Sequence, residues 1–392
     1  MKKIIIAGGS HSDVPMILAA KRLGFYVVTG GNRASDIGHA FADEFQAFDY
    51  SDANELAEVA SRVGADALCA CCNDFAAISC SIVARDLGLS GHDAPETAKL
   101  IHHKDLWRSF ASKHDISTPR AIGCKTVSEA EAAIAALRFP LIVKPVDLTG
   151  GKGITRVNDV ACAISAAKNA FEVSKEKRIV IEEFIFGSRH GFSCLLKDRR
   201  VVFYFADDEF YHLSEYLVSA ACTPTSCRPE SIQHLISETE RVATLLSLVD
   251  GIFHVQFIQP AHGPPVIIEA CRRPPGDLYV DLVRHATGVN YADHIVSAAT
   301  GSALPPPKTE APTRNITRHC LMGQSSGVFM GFEFSPSIAE RIVDRLIWAK
   351  SGEIVSDPRT HKFGVVFVEH PNVNQMRREA PQLQKLLASK VV

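Results

Sequence analysis

The stretch "LIVKPVDLTGGKGI", residues 141–154, carries a run of strand-forming apolar residues to a single lysine, Lys144, and then through Pro145 to the glycine-rich "GGKG". A lysine at the end of a buried strand would fix an ammonium beside a loop in which Gly150, Gly151 and Gly153 let backbone N–H groups approach a polyanion closely. That is a phosphate cradle, although a glycine-rich turn between two hairpin strands has the same local pattern. The rest of the chain offers partners for it. Lys104 stands in "HHKDLWRSF", forty residues upstream. Further on, "HVQFI" and "VIIEACRRPPGD" place Gln256 and Glu269 on successive strands, where a hairpin could turn both side chains to one face. A carboxylate and an amide oxygen are hard ligands suited to Mg2+ beside a triphosphate. Arg273, four residues past Glu269, has a planar fork that can reach a transferring phosphoryl group or an acyl phosphate.

The elements that must hold these residues follow from hydrophobic periodicity. Over the first hundred residues the apolar runs "KIIIAGG", "FYVVTG" and "ADALCA" alternate with amphipathic stretches at 14–23, 55–63 and 76–87. That alternation predicts βαβαβα and a parallel sheet covered by helices on both faces. The loop "GGSHSD" follows the first strand, where doubly wound folds bind ligands. It lacks the G-x-G-x-x-G and Walker spacings, so it reads equally as a turn capped by Ser12 or Asp13. Residues 95–114 turn helical, and "EAEAAIAALRF" predicts a helix before the strand "PLIVKPV". A strand at 154–157, a helix at 161–171 and the strand "RIVIEEFI" come after the glycine loop. Next, "FSCLLKDRRVVFYFADD" predicts a hairpin turning at 197–200, followed by a helix at 230–248 and a second hairpin, "GIFHVQFIQP" with "PPVIIEAC". The prolines of "ALPPPKTEAPT", 303–313, fit neither a helix nor a central strand and mark a boundary. The last eighty residues mix strands with a terminal helix near 373–387.

A length of 392 residues predicts two or three associated lobes. With 46% hydrophobic and 22% charged residues, the composition is globular and leaves no room for long disordered tails. A net charge of −2 without a dense Lys/Arg tract removes nucleic acid and membrane surfaces from the expected partners and favours small molecules. Eleven cysteines, with no secretory signal ahead of "MKKIIIAGG", predict reduced thiols and a cytoplasmic protein. The "CACC" at 69–72 has no second ligand pair at zinc spacing and reads as small core residues. His254 reads as a core or supporting histidine rather than a base. "HHK" reads as a solvated helix start in which Lys104 alone has a role, and Asn73 and Asp74 as helix caps. Asp207, Asp208 and Glu209 read as turn acids ending their hairpin, contact with a substrate amine being the lesser reading.

Taken in order, these pieces resemble an ATP-grasp ligase over most of the chain. The carrying motifs are the βαβ start, Lys104, Lys144, a glycine-rich lid at Thr149, Gly150, Gly151, Lys152 and Gly153, the segment "EEFI", and an E-x-x-x-R-x-x-G end at Glu269, Arg273 and Gly276. The resemblance implies an α/β fold, α+β in the ATP-grasp region. An N-terminal doubly wound parallel βαβ domain would span 1–95, and a two-lobed ATP-grasp region 96–305, with a lid subdomain at about 120–185. A small C-terminal α+β lobe, 306–392, would complete the ATP-grasp domain. The activity implied is that of an ATP-dependent carboxylate–amine ligase, similar to ligases that join amino acids or small acids to amines. It would work through an acyl phosphate and release ADP and phosphate. Purine-biosynthetic relatives activate formate or bicarbonate instead, and a nucleotide-binding regulatory protein without turnover is the non-enzymatic alternative. ATP and Mg2+, or Mn2+ in its place, are the implied cofactors. A small carboxylate and an amine are the implied substrates, and a homodimer is a common assembly of similar enzymes. Carried over residue by residue, Lys104 and Lys144 would hold phosphates, and Glu182, Glu183, Phe184 and Ile185 would meet adenine. Gln256 and Glu269 would ligate metal, Gln256 as in the carbamoyl phosphate synthetase branch. Arg273, catalytic with Lys144, would stabilise the acyl phosphate beside a pocket lined by Gly276 and Asp277. Three features depart from the family pattern: Cys271 stands where the metal hairpin usually carries Asn, Arg189 and His190 stand where an acid is expected, and Gln256 stands where most relatives carry an acid, lowering the negative charge of the metal site.

Overall fold

A computed structural model describes every residue except Thr149, Ala303 and 308–311. The expected lid contact at Thr149 and part of the 303–313 boundary therefore lie outside the described residues. The first sheet is parallel, with strand order Glu44–Ala47, Tyr26–Gly31, Lys3–Ala7, Ala67–Ala70. Its central strand must be apolar on both faces because both are covered. Ile4 and Ile6 pack with Met16 and Ile17 of helix Val14–Arg22, while Ile5 and Ala7 pack with Leu56 of helix Ala53–Val63 and Cys80 of helix Asp74–Leu87. Strand Glu44–Ala47 was not among the expected strands; it is a half-buried edge, "EFQA", too short and polar to alternate.

Helices Pro95–His102 and Lys104–Lys113 lead into a second sheet, antiparallel, ordered Ala121–Cys124, Ile179–Glu183, Leu141–Pro145, Thr155–Val157. Helices Val127–Ala136 and Val160–Val173 supply its core through alanines such as Ala133, Ala163 and Ala167, small enough to bring helix and sheet close together. The glycine loop joins its last two strands in that order.

The third sheet is the largest of the four among the described residues. Eight antiparallel strands follow the order Val266–Cys271, Gly251–Gln259, Ser188–Lys197, Arg200–Phe210, Ala220–Thr223, Asn315–Met322, Lys362–His370, Ile342–Ile347. Both predicted hairpins are present, and Asp198 and Arg199 make the first turn at positive φ, 49° and 64°. Strands beyond residue 314 thus continue the sheet that carries the first hairpin. A small sheet of Ile354–Val355, Gly327–Phe334 and Leu387–Val391 closes the C-terminal end.

The expected terminal helix over 373–387 is not continuous. Helix Val373–Glu379 gives way to the turns Ala380–Gln382 and Leu383–Leu386, then to strand Leu387–Val391. Pro381 explains the break, since it has no N–H to donate and its ring clashes with the preceding turn.

Candidate active site

A cleft of about 400 Å³ is lined from both the second sheet and the long third sheet. Lys144, next to last in strand Leu141–Pro145, is 6% exposed within it and ion-pairs with Glu182 of the adjacent strand. Glu182 also accepts a 2.8 Å hydrogen bond from Arg108 Nε, and Arg108 NH2 donates to the Ile268 carbonyl. Burial pulls the Lys144 ammonium down to about 8, against the opposing pull of Glu182. Burial would push the Glu182 carboxyl up, but Arg108 and Lys144 outweigh it and hold it below the usual range. With its carboxylate so engaged, Glu182 has only its backbone left for a base. The Glu183 side chain pairs with Arg120 and Arg138; Glu183, Phe184 and Ile185 all line the cleft, and Arg156 lies 4.1 Å over the Phe184 ring.

Lys104 opens helix Lys104–Lys113; its Nζ donates to the Leu148 carbonyl at 2.9 Å and lies 3.4 Å from Glu269. The expectation of a solvated "HHK" is wrong, because His102, His103 and Lys104 are all buried at the junction of two helices. His102 bonds Asp74 at 2.8 Å, and His103 accepts from Arg178 at 2.7 Å. Gly150 and Gly151 line the cleft, while Lys152 and Gly153 are exposed and do not. Gly151 has φ +76°, and a Cβ there would come within 2.7 Å of Tyr216, so this loop rests directly on the 214–217 segment.

Gln256 and Glu269 are directly paired across their hairpin and share one face. Glu269 is one-third exposed to the cleft, while Gln256 Nε2 donates to Glu209 at 2.8 and 3.1 Å. Cys271 is buried and its thiol is pushed up to about 12, chiefly by burial, so it stays protonated beside the hairpin. Glu269 and the Gln256 amide oxygen are the hard donors this hairpin offers a divalent ion.

Residues 102–216 match the family model for the phosphoribosylglycinamide synthetase ATP-grasp (A) domain. The chain carries an ATP-grasp domain. A formate-dependent phosphoribosylglycinamide formyltransferase of Prochlorococcus marinus (strain NATL2A) is 26% identical over 188 residues, 47% of this chain and 48% of that protein. The chain therefore spans about half the length of the curated relatives it matches there. An L-amino acid ligase structure from Bacillus licheniformis superposes with TM-score 0.82 at 19% identity, covering 100% of this chain and 99% of the other. The biotin carboxylase domain dimer of a Hydrogenobacter thermophilus 2-oxoglutarate carboxylase, solved with magnesium ADP and bicarbonate, gives TM-score 0.80 at 16% identity. It covers 100% of this chain and 91% of that one. The expected α/β architecture, a parallel N-terminal domain ahead of an ATP-grasp fold, is the one found.

The far end of the ATP-grasp cleft holds residues that sequence reading missed. Arg273 Nε donates to Asp74 at 2.8 Å, and Asp74 meets His102 behind it. Burial would raise the Asp74 carboxyl, yet Arg273 and His102 hold it well below the usual range. Asp74 is thus a buried partner of Arg273 rather than a helix cap; Asn73 alone caps, accepting from the Phe75 N–H. Asp277 sits at φ +56° in the turn after Gly276. Its carboxylate takes Lys362 Nζ at 2.6 Å, His11 Nε2 at 3.2 Å and Arg318 NH1 at 3.6 Å. These three overcome burial and hold the Asp277 carboxyl well below the usual range. The Asp277 N–H donates to Ser12 Oγ at 2.8 Å, and the His11 ring stacks on Trp348 with centroids 3.9 Å apart. Gly276, Arg318 and Lys362 line the cleft beside it.

Asp207, Asp208 and Glu209 are not turn acids, because strand Arg200–Phe210 runs through them. The apolar run "VVFYFA" ended the sequence-level strand too early. Asp208 faces away from the cleft, bonded to His190 at 2.9 Å and to Thr225 at 2.6 Å. His254 lines the cleft with Nδ1 unpartnered among the described residues, and burial drives it down to about 3, so it is neutral. Cys69 and Cys71 are core residues as expected, while Cys72 reaches the cleft. Among the described residues all eleven cysteines are free and no helix is long and apolar enough to cross a membrane.

Proposed function

We propose that this chain is an ATP-dependent carboxylate–amine ligase that forms a C–N bond through an acyl phosphate. The observation that carries the reading is one cleft with two chemically distinct ends. Lys104, Lys144 and the glycines of the loop stand at one end, with apolar walls such as Ile142 and Ile258 for a base. Arg273, Arg318 and Lys362 stand at the other, a set of cations suited to a carboxylate. The γ-phosphoryl group of ATP would pass to a carboxylate oxygen held by Arg273, and the amine would then displace phosphate. Lys144 and Lys104 hold the phosphates, the 150–153 loop covers them, and positioning with charge neutralisation supplies the catalysis. Glu269 and Gln256 would hold Mg2+, which neutralises phosphate charge when bound. Among the described residues no group of three or more His, Cys, Asp or Glu side chains converges on a metal, so phosphate oxygens would complete its shell. The same fold solved with magnesium ADP supports that choice, and a dimer of that fold supports a homodimer here. Reduced cysteines support a cytoplasmic location.

A second reading, activation of formate, is favoured by the formyltransferase similarity over 47% of the chain. Phosphate release and product mass, measured with ATP, Mg2+ and panels of amino acids, small carboxylates, formate and bicarbonate, separate the two. Tight ATP binding with no acceptor-dependent phosphate release would overturn both in favour of a regulatory nucleotide binder.

A further inference from the structure

We propose that a groove on the far side of the 276–279 turn is a regulatory site for a small carboxylate with an apolar body, sensed in the cleft through Asp277. The binding stands by itself; its effect on turnover rests on the ligase reading above. The groove measures about 450 Å³ against about 400 Å³ for the cleft, and the two share no lining residue. They meet back to back at two places in the chain. Gly276, Asp277 and Tyr279 line the cleft while Leu278 and Val280 line the groove, and Ser12 faces the cleft while Val14 and Pro15 face the groove. The hydrogen bond from the Asp277 N–H to Ser12 Oγ ties these two walls together.

The turn between the two spaces has an uncommon backbone. Asp277 and Leu278 are consecutive non-glycine residues at φ +56° and +58°. L-residues stay in that region only where their surroundings hold them there. On the cleft side the holding contacts are those of the Asp277 carboxylate with His11, Arg318 and Lys362. On the other side Leu278, buried, forms a wall of the groove, so whatever fills the groove bears on the turn. A ligand that fits the groove as it stands favours the conformation in which Asp277 keeps Arg318 and Lys362. Those are the cations a substrate carboxylate competes for, so occupancy of the groove weakens substrate binding.

The lining defines the ligand. Leu18, Phe41, Leu346 and Phe367 join Leu278 in an apolar floor, and Leu18 is left 38% exposed there. The volume falls within the range of about 300–1,000 Å³ typical of small-molecule sites. Three arginines and two aspartates stand around the floor. Arg22 is paired with Asp293, and Arg284 with Asp281 and Asp344. Of Arg345 only the backbone N–H is bonded, to Asp344 at 2.8 Å, and its guanidinium has no partner among the described residues. One unspent cation beside an apolar floor matches a short chain or ring that ends in a single carboxylate.

The test uses the full chain with hexanoate and phenylacetate as probes and hexanol as the uncharged control. Calorimetric titration without nucleotide is expected to show saturable binding of a carboxylate probe in preference to hexanol. Arg345→Glu should weaken it about 10-fold, the scale of one charge-assisted hydrogen bond, and Leu18→Trp, which fills the mouth of the groove, should abolish it. Both side chains are exposed, so neither substitution disturbs the core. With ATP, Mg2+ and an acceptor that supports turnover, the probe should raise KM for the substrate carboxylate about 5-fold and then level off, because both ligands bind at once. The kcat and KM of Arg345→Glu without probe should match wild type. A probe seated in the cleft itself would raise KM without limit and ignore Arg345→Glu. That result overturns the proposal, as do failure of both probes to bind and a dimer, dissociated by Leu18→Trp, whose second copy covers the groove. If the probes bind as expected but no acceptor supports phosphate release, the ligase reading falls and the effect on turnover with it, while the binding site stands.

Discussion

Replacing Glu182 with glutamine tests whether a buried ion triad sets the charge of the nucleotide lysine. Lys144 titrates at about 8 in the folded protein, so at pH 7 about nine-tenths of it is charged. Unit charges about 4 Å apart interact by about 4 kcal/mol at an effective dielectric constant of about 20. At about 1.4 kcal/mol per factor of ten, losing the Glu182 carboxylate would drop the charged fraction to about one per cent. ATP affinity at pH 7 should weaken by about 90-fold on that account. Stability should suffer as well, because Glu182→Gln leaves Arg108 buried without a counter-charge and makes Lys144 give up its proton, a loss of about 3–5 kcal/mol. Lys144→Met should cost only about 1 kcal/mol, since Glu182 keeps Arg108 and a buried pair remains. The double variant should then fall short of the sum by about 2 kcal/mol, because without the lysine no buried amine has to give up its proton. Urea unfolding of the three variants, with calorimetric ATP titration, measures both quantities. Additive unfolding energies, or an ATP affinity for Glu182→Gln within about 3-fold of wild type, would refute the coupling.

Two further outcomes follow from the same site. Glu269→Gln should abolish nearly all turnover while Cys271→Ser changes it little, because the Cys271 thiol stays protonated with a pKa of about 12 and is no ligand for Mg2+; comparable losses in steady-state phosphate release would sink the assignment. Binding and stability should respond to pH with opposite signs through Lys144. Only the ammonium holds phosphate, so ATP affinity should fall as pH rises through about 8, and Lys144→Arg should flatten that fall. Its folded-state value lies below the ordinary 10.5, so the ammonium costs stability below about 8, a cost removed as pH rises from 8 toward 10.5. Unfolding of the unliganded protein across that window reads the second sign.

The nucleotide end of the cleft was legible because its chemistry is local. Lys144 and the glycines lie within one stretch, and the pairing of Gln256 with Glu269 follows from a hairpin whose turn is visible in "AHGP". The substrate end was not, because its side chains come from separate lobes: Ser12 and Asp74 from the first domain, Arg318 and Lys362 from strands of the long sheet. None of them belongs to a local pattern, and Asp74 even presents itself as a helix cap until Arg273 is seen beside it. Glu209 was hidden differently. Acidic residues following an apolar run resemble the end of a strand, and only the covering sheet and Tyr279 reveal that the strand continues. The terminal helix failed for a simpler reason, the neglect of Pro381.

Asp277 binds three stretches of the gene into one knot: His11 from the first loop, and Arg318 and Lys362 from the last third, all meeting a turn that follows the metal hairpin. A pocket wall assembled this way cannot be exchanged as a cassette. Grafting the 272–278 turn from a relative with another preference would import a shape cut for different neighbours and strand two buried cations. Drift in what this protein accepts must then proceed by matched changes at distant codons, and a search for altered selectivity should randomise the knot as a unit rather than one position at a time.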